Sequence, residues 1–143
     1  LVFVAILGSG CTFSASSYET TRRKEYAQSV GAEFERLKDP LGGLVGVCDV
    51  GGVLEQCDRA AKTAIDALRS STVRLERIVP PDQLLKPHQD LLLGLRLEQE
   101  GLTERRLAIA DQNDELWKSG RDKNSEGDQL IQAALSEIRN GLQ

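Results

Sequence analysis

Apolar residues recur three and four positions apart in four stretches of this chain, the spacing that lays them along one face of a helix. Tyr26, Val30, Phe34 and Leu37 mark the first, which the pattern places at residues 20–38 and which Asp39-Pro40 stops. The second, residues 53–79, carries Leu54, Cys57, Ala61, Ala64 or Ile65, Leu68, Thr72, Leu75 and Ile78, the seam of a helix packed at a shallow angle against neighbours. In the third, Leu84, Leu85, His88, Leu91, Leu92, Leu95 and Leu102 form one broad stripe that resumes with Ile109 and Leu116 and ends near Trp117 or Lys118. The fourth, residues 126–140, buries Leu130, Ile131, Ala134, Leu135 and Ile138, and Gly141 closes it. The pattern predicts an all-α fold, an antiparallel bundle of three to four helices occupying residues 21–143.

The breaks between stripes shape this bundle. Val79 precedes a proline and Pro80 precedes another, so both are pushed out of the α region and the second helix ends at a hinge formed by Pro80 and Pro81. Pro81 and Asp82 suit the first turn of the helix that follows. Pro87 does not suit an interior, where it costs about 3 kcal/mol; either the helix kinks there, or residues 82–86 form a separate turn and the helix proper begins near Pro87. Gly94 and Gly101 lie seven apart on one helix face, where the missing side chains let another helix come close.

Two glycine-containing stretches invite chemical readings that do not hold. Residues 41–52, LGGLVGVCDVGG, lack the Gly-Lys-Ser/Thr that a phosphate-binding loop needs, and Gly51-Gly52 lead into Val53-Leu54 instead. A packed loop crossing one end of the bundle is the better reading, and no cofactor is implied. In residues 120–128, GRDKNSEGD, Asp122, Asn124, Glu126 and Gly127 loosely follow a calcium-loop spacing, but Ala133 stands where a bidentate glutamate is needed. Ser125-x-x-Asp128 as an N-cap pattern explains the same residues more simply.

With 40% hydrophobic and only 4% aromatic residues, the core is built from Leu, Ile, Val and Ala, and 28% charged residues fit helix packing. A net charge of −4 with no basic stripe argues against nucleic acid as a partner. Arg22, Arg23 and Lys24 form the one compact basic run, a solvated helical turn or a contact for anionic headgroups.

The first residues change the picture most. LVFVAILGSGC joins seven apolar residues to small ones and then Cys11, as at the end of a secretory signal. Seven apolar residues are too few to span a bilayer, which needs about 20. Residues 1–10 read as the C-terminal part of a secretory or lipoprotein signal peptide, Cys11 as the lipidation site, and residues 11–20 as the acylated cysteine and its polar tether. Gly8 departs from the leucine usual in lipoprotein signals, with Leu7 one position early. An ordinary signal cut elsewhere, giving a secreted protein, is the alternative, and a buried element is the third. Three cysteines are an odd number; if Cys11 is acylated, Cys48 and Cys57 remain as a pair that an oxidising compartment permits to bond. Two buried thiols are the other reading.

His88 is the one histidine. It could act as base, ligand or pH switch, but with no second histidine to share a metal it reads as a structural residue, hydrogen-bonded to backbone around the hinge. The pattern Leu75-x-x-Ile78-x-Pro80-Pro81-x-x-Leu84-x-x-x-His88-x-x-x-Leu92 resembles that of uncharacterised helical lipoproteins of bacteria, over about the middle third of the chain. The resemblance implies an exported, lipid-anchored helical domain and no known activity. The expectation is therefore a non-enzymatic envelope or interaction protein, extracytoplasmic and membrane-anchored through its lipid, with a protein partner that the sequence does not identify. The alternative is a ligand-binding or sensory module with a pocket near the hinge. An enzyme would need polar groups converging in a cleft, and no catalytic set is visible.

Overall fold

The computed structural model of the chain describes residues 15–48 and 54–141. They form four helices, α1 (Ala15–Cys48), α2 (Leu54–Glu76), α3 (Leu85–Asp111) and α4 (Asp114–Asn140), with a 3-10 turn at Asp82–Leu84 leading into α3. Consecutive helices run antiparallel: Glu33 of α1 meets Arg74 of α2, Glu76 of α2 meets Arg96 of α3, and Gly94 of α3 meets Gly127 of α4. The all-helical bundle expected from the stripes is what forms. Its core takes Val30 and Leu37 from α1, Leu68 and Leu75 from α2, Leu91 and Leu95 from α3, and Ala134 and Ile138 from α4.

The first helix is longer than its composition suggests. It begins at Ala15, so residues 15–20 are helical where a tether was expected, and it passes through Pro40 to end at Cys48. Leu41, Leu44 and Cys48 continue the stripe begun by Tyr26, Val30 and Leu37 at steps of three and four, and Leu41 and Leu44 pack on the core. Burial of that continued stripe outweighs the hydrogen bond lost at Pro40 and the poor propensity of Gly42 and Gly43. The predicted loop over 41–52 is thus helix as far as Cys48, and residues 49–53 lie outside the described residues.

At the hinge, α2 ends at Glu76, a little before the predicted Val79, and Ile78 N–H bonds back to Leu75. Leu84 N–H bonds to the Pro81 carbonyl at 2.8 Å, closing the 3-10 turn. Because α3 starts at Leu85, Pro87 falls in the first turn, where its missing N–H has no helical acceptor to lose. Of the two readings of Pro87, the separate turn is the one observed.

The third break lies earlier than predicted. α3 stops at Asp111 instead of near Trp117, with Gln112 at φ 51°, and Asn113 caps α4 by accepting Leu116 N–H at 2.9 Å. Residues 120–128, expected as a loop, are therefore interior turns of α4. Ser125 and Asp128 cannot act as an N-cap there, and Asp122, Asn124 and Glu126 point around a helix instead of into a cation-binding loop.

The glycines explain why that polar segment is helical. A Cβ on Gly94 would lie 2.8 Å from the Gly127 carbonyl oxygen, and one on Gly101 2.6 Å from that of Gly120. Added Cβ atoms on Gly120 and Gly127 would meet the carbonyls of Gly101 and Gly94 in return. The close approach foreseen for Gly94 and Gly101 is made, and their partners are two glycines also seven residues apart.

Candidate functional site

The bundle has two chemically different ends. At one, the N-terminal part of α1, the hinge and the end of α4 meet: Arg23 donates to the Gly141 carbonyl, and Tyr26 and His88 share a hydrogen bond of 3.0 Å. Pro81, Leu84, Pro87 and His88 are buried here, with Pro80 only partly so. Burial lowers the His88 pKa and pushes the Tyr26 phenol up to about 12. Both rings stay uncharged at neutral pH, packed edge to face with centroids 5.7 Å apart. His88 is buried as a structural residue, and the partner shown is not the expected hinge backbone but the Tyr26 hydroxyl, on a side chain 62 residues away.

Midway along the α3–α4 seam lies a polar layer. Asn124 donates to both the backbone carbonyl and the carboxylate of Glu98, at 3.0 and 2.9 Å. The glycines bring the helices so close that Glu98 loses water, and desolvation, with Asp128 nearby, pushes its pKa from 4.5 to about 7. Between those values the folded state keeps a proton that the unfolded chain has released, so Glu98 favours folding at low pH and that contribution is lost as pH rises through 7. Discounted for partial exposure, the change is about 1–2 kcal/mol. Glu98→Gln, uncharged at all pH, should therefore gain that amount over the parent at pH 8 and almost nothing at pH 4.5. Urea unfolding at the two pH values checks this; an equal gain at both would dismiss the buried carboxylate as its source. His88 acts with the opposite sign, since its depressed pKa favours folding above 6.5 and less so on acidification.

The other end of the bundle carries a cleft of about 520 Å³ between the α1–α2 and α3–α4 hairpins. Leu44, Val45 and Leu54 line one side, Leu102, Ile109 and Trp117 the other. The Cys48 and Cys57 sulfurs are joined as a disulfide on its wall, tying the end of α1 to the first turn of α2. Three charged side chains also line it. Arg106 donates to Asp58 at 2.5 Å, and Asp58 also pairs with Lys62 at 2.8 Å, which holds its carboxyl below the usual range. Arg105 lies over the Trp117 ring at 4.7 Å, with its stem passing Gly120. Its contact with Asn124 is long, 3.4 Å, and its buried Nε has no acceptor.

Sequence reading placed the alternative ligand pocket near the hinge; the cleft stands at the opposite end. Arg105 is not singled out by the sequence pattern, because only the α3–α4 turn at Gln112 and Asn113 brings Trp117 back over it. A lone tryptophan in an aromatic-poor chain was the available signal. Among the described residues, no group of acidic, histidine or cysteine side chains is placed to hold a metal ion, and no helix is long and apolar enough to cross a membrane. Cys11 lies outside the described residues. Compared with known proteins, the chain matches no family model, no curated protein and no solved structure.

Proposed function

We propose that this chain is an exported helical-bundle protein, held at a bacterial membrane by a lipid on Cys11 and acting through its surface without catalysis. The observation that carries the reading is the run LVFVAILGSGC, apolar then small then cysteine, directly before a helical domain. The Cys48–Cys57 pairing supports it, because such bonds persist in oxidising compartments and an acylated Cys11 accounts for the odd thiol. The non-enzymatic part rests on the single histidine being sequestered with Tyr26.

The anchor has a geometric consequence. α1 starts four residues after Cys11, and its N-terminal part lies at the hinge end of the bundle. A lipid on Cys11 holds that end toward the bilayer. The 34 residues of α1 then carry the disulfide and cleft about 50 Å outward at 1.5 Å per residue. A protein of this kind presents its far end to whatever it meets.

Intact-mass measurement of the mature protein, extracted with detergent from a bacterium expressing the full-length gene, tests the reading. The expected product begins at Cys11, carries added acyl mass and lacks two hydrogens for the cystine. Cys11→Ser should move the protein from the membrane to the soluble fraction. A product that keeps residues 1–10 and carries no lipid would overturn both the address and the proposed function.

A further inference from the structure

The cleft at the Cys48–Cys57 end combines an apolar interior with a cation, Arg105, that no carboxylate among the described residues bonds directly, Glu98 acting on it only from beyond ion-pair distance. Leu54 is 70% exposed, Val45 58% and Ile109 43%, and all three face this one concavity. Scattered apolar side chains on a surface need no explanation, but a cluster lining a cleft of ligand size does. Of its charged residues, Asp58 is already shared by Arg106 and Lys62. Arg105 makes no ion pair among the described residues, its guanidinium lies over the sole tryptophan at 4.7 Å, and its hydrogen bond to Asn124 is long at 3.4 Å. A half-buried guanidinium held over an aromatic ring at the wall of an apolar cleft, with no carboxylate bonded to it, is a site for an oxyanion, since its terminal N–H donors match a carboxylate.

We infer that the cleft binds an amphipathic monoanion, a hydrocarbon body with a carboxylate head, with the head at Arg105 and the chain between Leu54, Val45 and Ile109. The inference is independent of the lipid anchor and stands or falls by itself. Charge complementarity selects the occupant: of the three charged side chains lining the cleft two are cations, Arg105 and Arg106, against the one carboxylate of Asp58, so an anionic head is attracted and a cationic one repelled. The apolar walls reject a small hydrophilic anion, which gains nothing from them. Arg106 stays with Asp58 and sets the edge of the site without becoming its anion partner.

Trp117, the chain's only tryptophan, reports on the site directly. The 143-residue chain is titrated with dodecanoate, below its micelle-forming concentration, and the indole emission is followed. The expected result is a saturable change at one equivalent. Dodecanol and dodecyltrimethylammonium should bind at least about tenfold more weakly, consistent with a charge-assisted contact. Arg105→Met keeps the stem that passes Gly120 and should weaken dodecanoate binding at least about tenfold while leaving dodecanol unchanged. Leu54→Asp, at a position too exposed to matter for folding, should remove binding without shifting the melting temperature. Equal binding of the cationic and anionic probes, or no loss in Arg105→Met, would overturn the inference. So would an emission change that follows protein concentration without any probe, which would assign the cleft to a second copy of the chain.

Discussion

Gly101→Ala is expected to lower the melting temperature by about 5–10 °C, although alanine is the better helix former by about 1 kcal/mol. The added methyl would stand 2.6 Å from the Gly120 carbonyl oxygen and 2.5 Å from Asn124 Nδ2. The first of these is backbone and cannot rotate away, so α3 and α4 must separate. Separation loosens both glycine layers and lets water reach Glu98, and overpacking of this kind costs about 1–3 kcal/mol. The control is the same substitution elsewhere. Gly31 and Gly43, both exposed on α1, have nothing within 4 Å of an added Cβ. Gly31→Ala and Gly43→Ala should each raise stability by about 0.5–1 kcal/mol. Thermal melts of the three variants decide it. Three shifts of one sign would mean that helix propensity, not the seam, governs these glycines.

The same glycines mark how far the sequence could be read. Gly94 and Gly101 sit inside a strong leucine stripe, so their spacing was legible as a close-approach face. Gly120 and Gly127 sit in GRDKNSEGD, a composition that argues for a loop by every local rule. Only contact with α3 makes that segment helical, and such contact is invisible to local propensity. Pro40 misled for the converse reason. The periodicity through Leu37, Leu41, Leu44 and Cys48 is present in the chain, but Pro40, Gly42 and Gly43 interrupt its local helix propensity. In this protein, periodicity predicts better than breakers wherever a partner helix is available to bury the stripe.

The candidate site was less legible than the fold because its parts come from separated elements. Cys48 and Cys57 are near neighbours and remain as a pair once Cys11 is set aside as acylated, so their bonding is open to argument from the sequence. Arg105 and Trp117 lie twelve residues apart and meet only because Gln112 takes the left-handed conformation and turns the chain back. Tyr26 and His88 belong to α1 and α3, and each stripe announced a buried position without naming what lay opposite. Glu33 escaped notice for a related reason: a glutamate on a narrow apolar stripe reads as its polar border until the facing helix supplies an arginine.

That glutamate carries the second large effect. Glu33 is only 4% exposed at the α1–α2 contact, where Arg74 Nε donates to one carboxylate oxygen at 2.8 Å and Arg36 to the other. Arg74 also holds the buried Ser71 hydroxyl at 3.1 Å. Arg74 itself is 42% exposed, but removing it costs more than the pair is worth, because the buried Glu33 carboxylate is left short of solvation. Arg74→Leu should therefore destabilise the bundle by about 2–3 kcal/mol, below the full cost of an orphaned ion because Arg36 remains. Glu33→Leu combined with Arg74→Leu removes the charge together with its partner and adds apolar contact between α1 and α2. The double variant should return to within about 1 kcal/mol of the parent, a coupling of about 2 kcal/mol in a double-mutant cycle read by urea unfolding. Additive losses would refute the Glu33–Arg74 pair as the cause and leave Arg74 contributing through its contact with Ser71 alone. Recovery would show that Glu33 and Arg74 set the pairing of α1 with α2 at little net gain in stability, so the α1–α2 hairpin holds chiefly by its leucines and by the Cys48–Cys57 link at its far end.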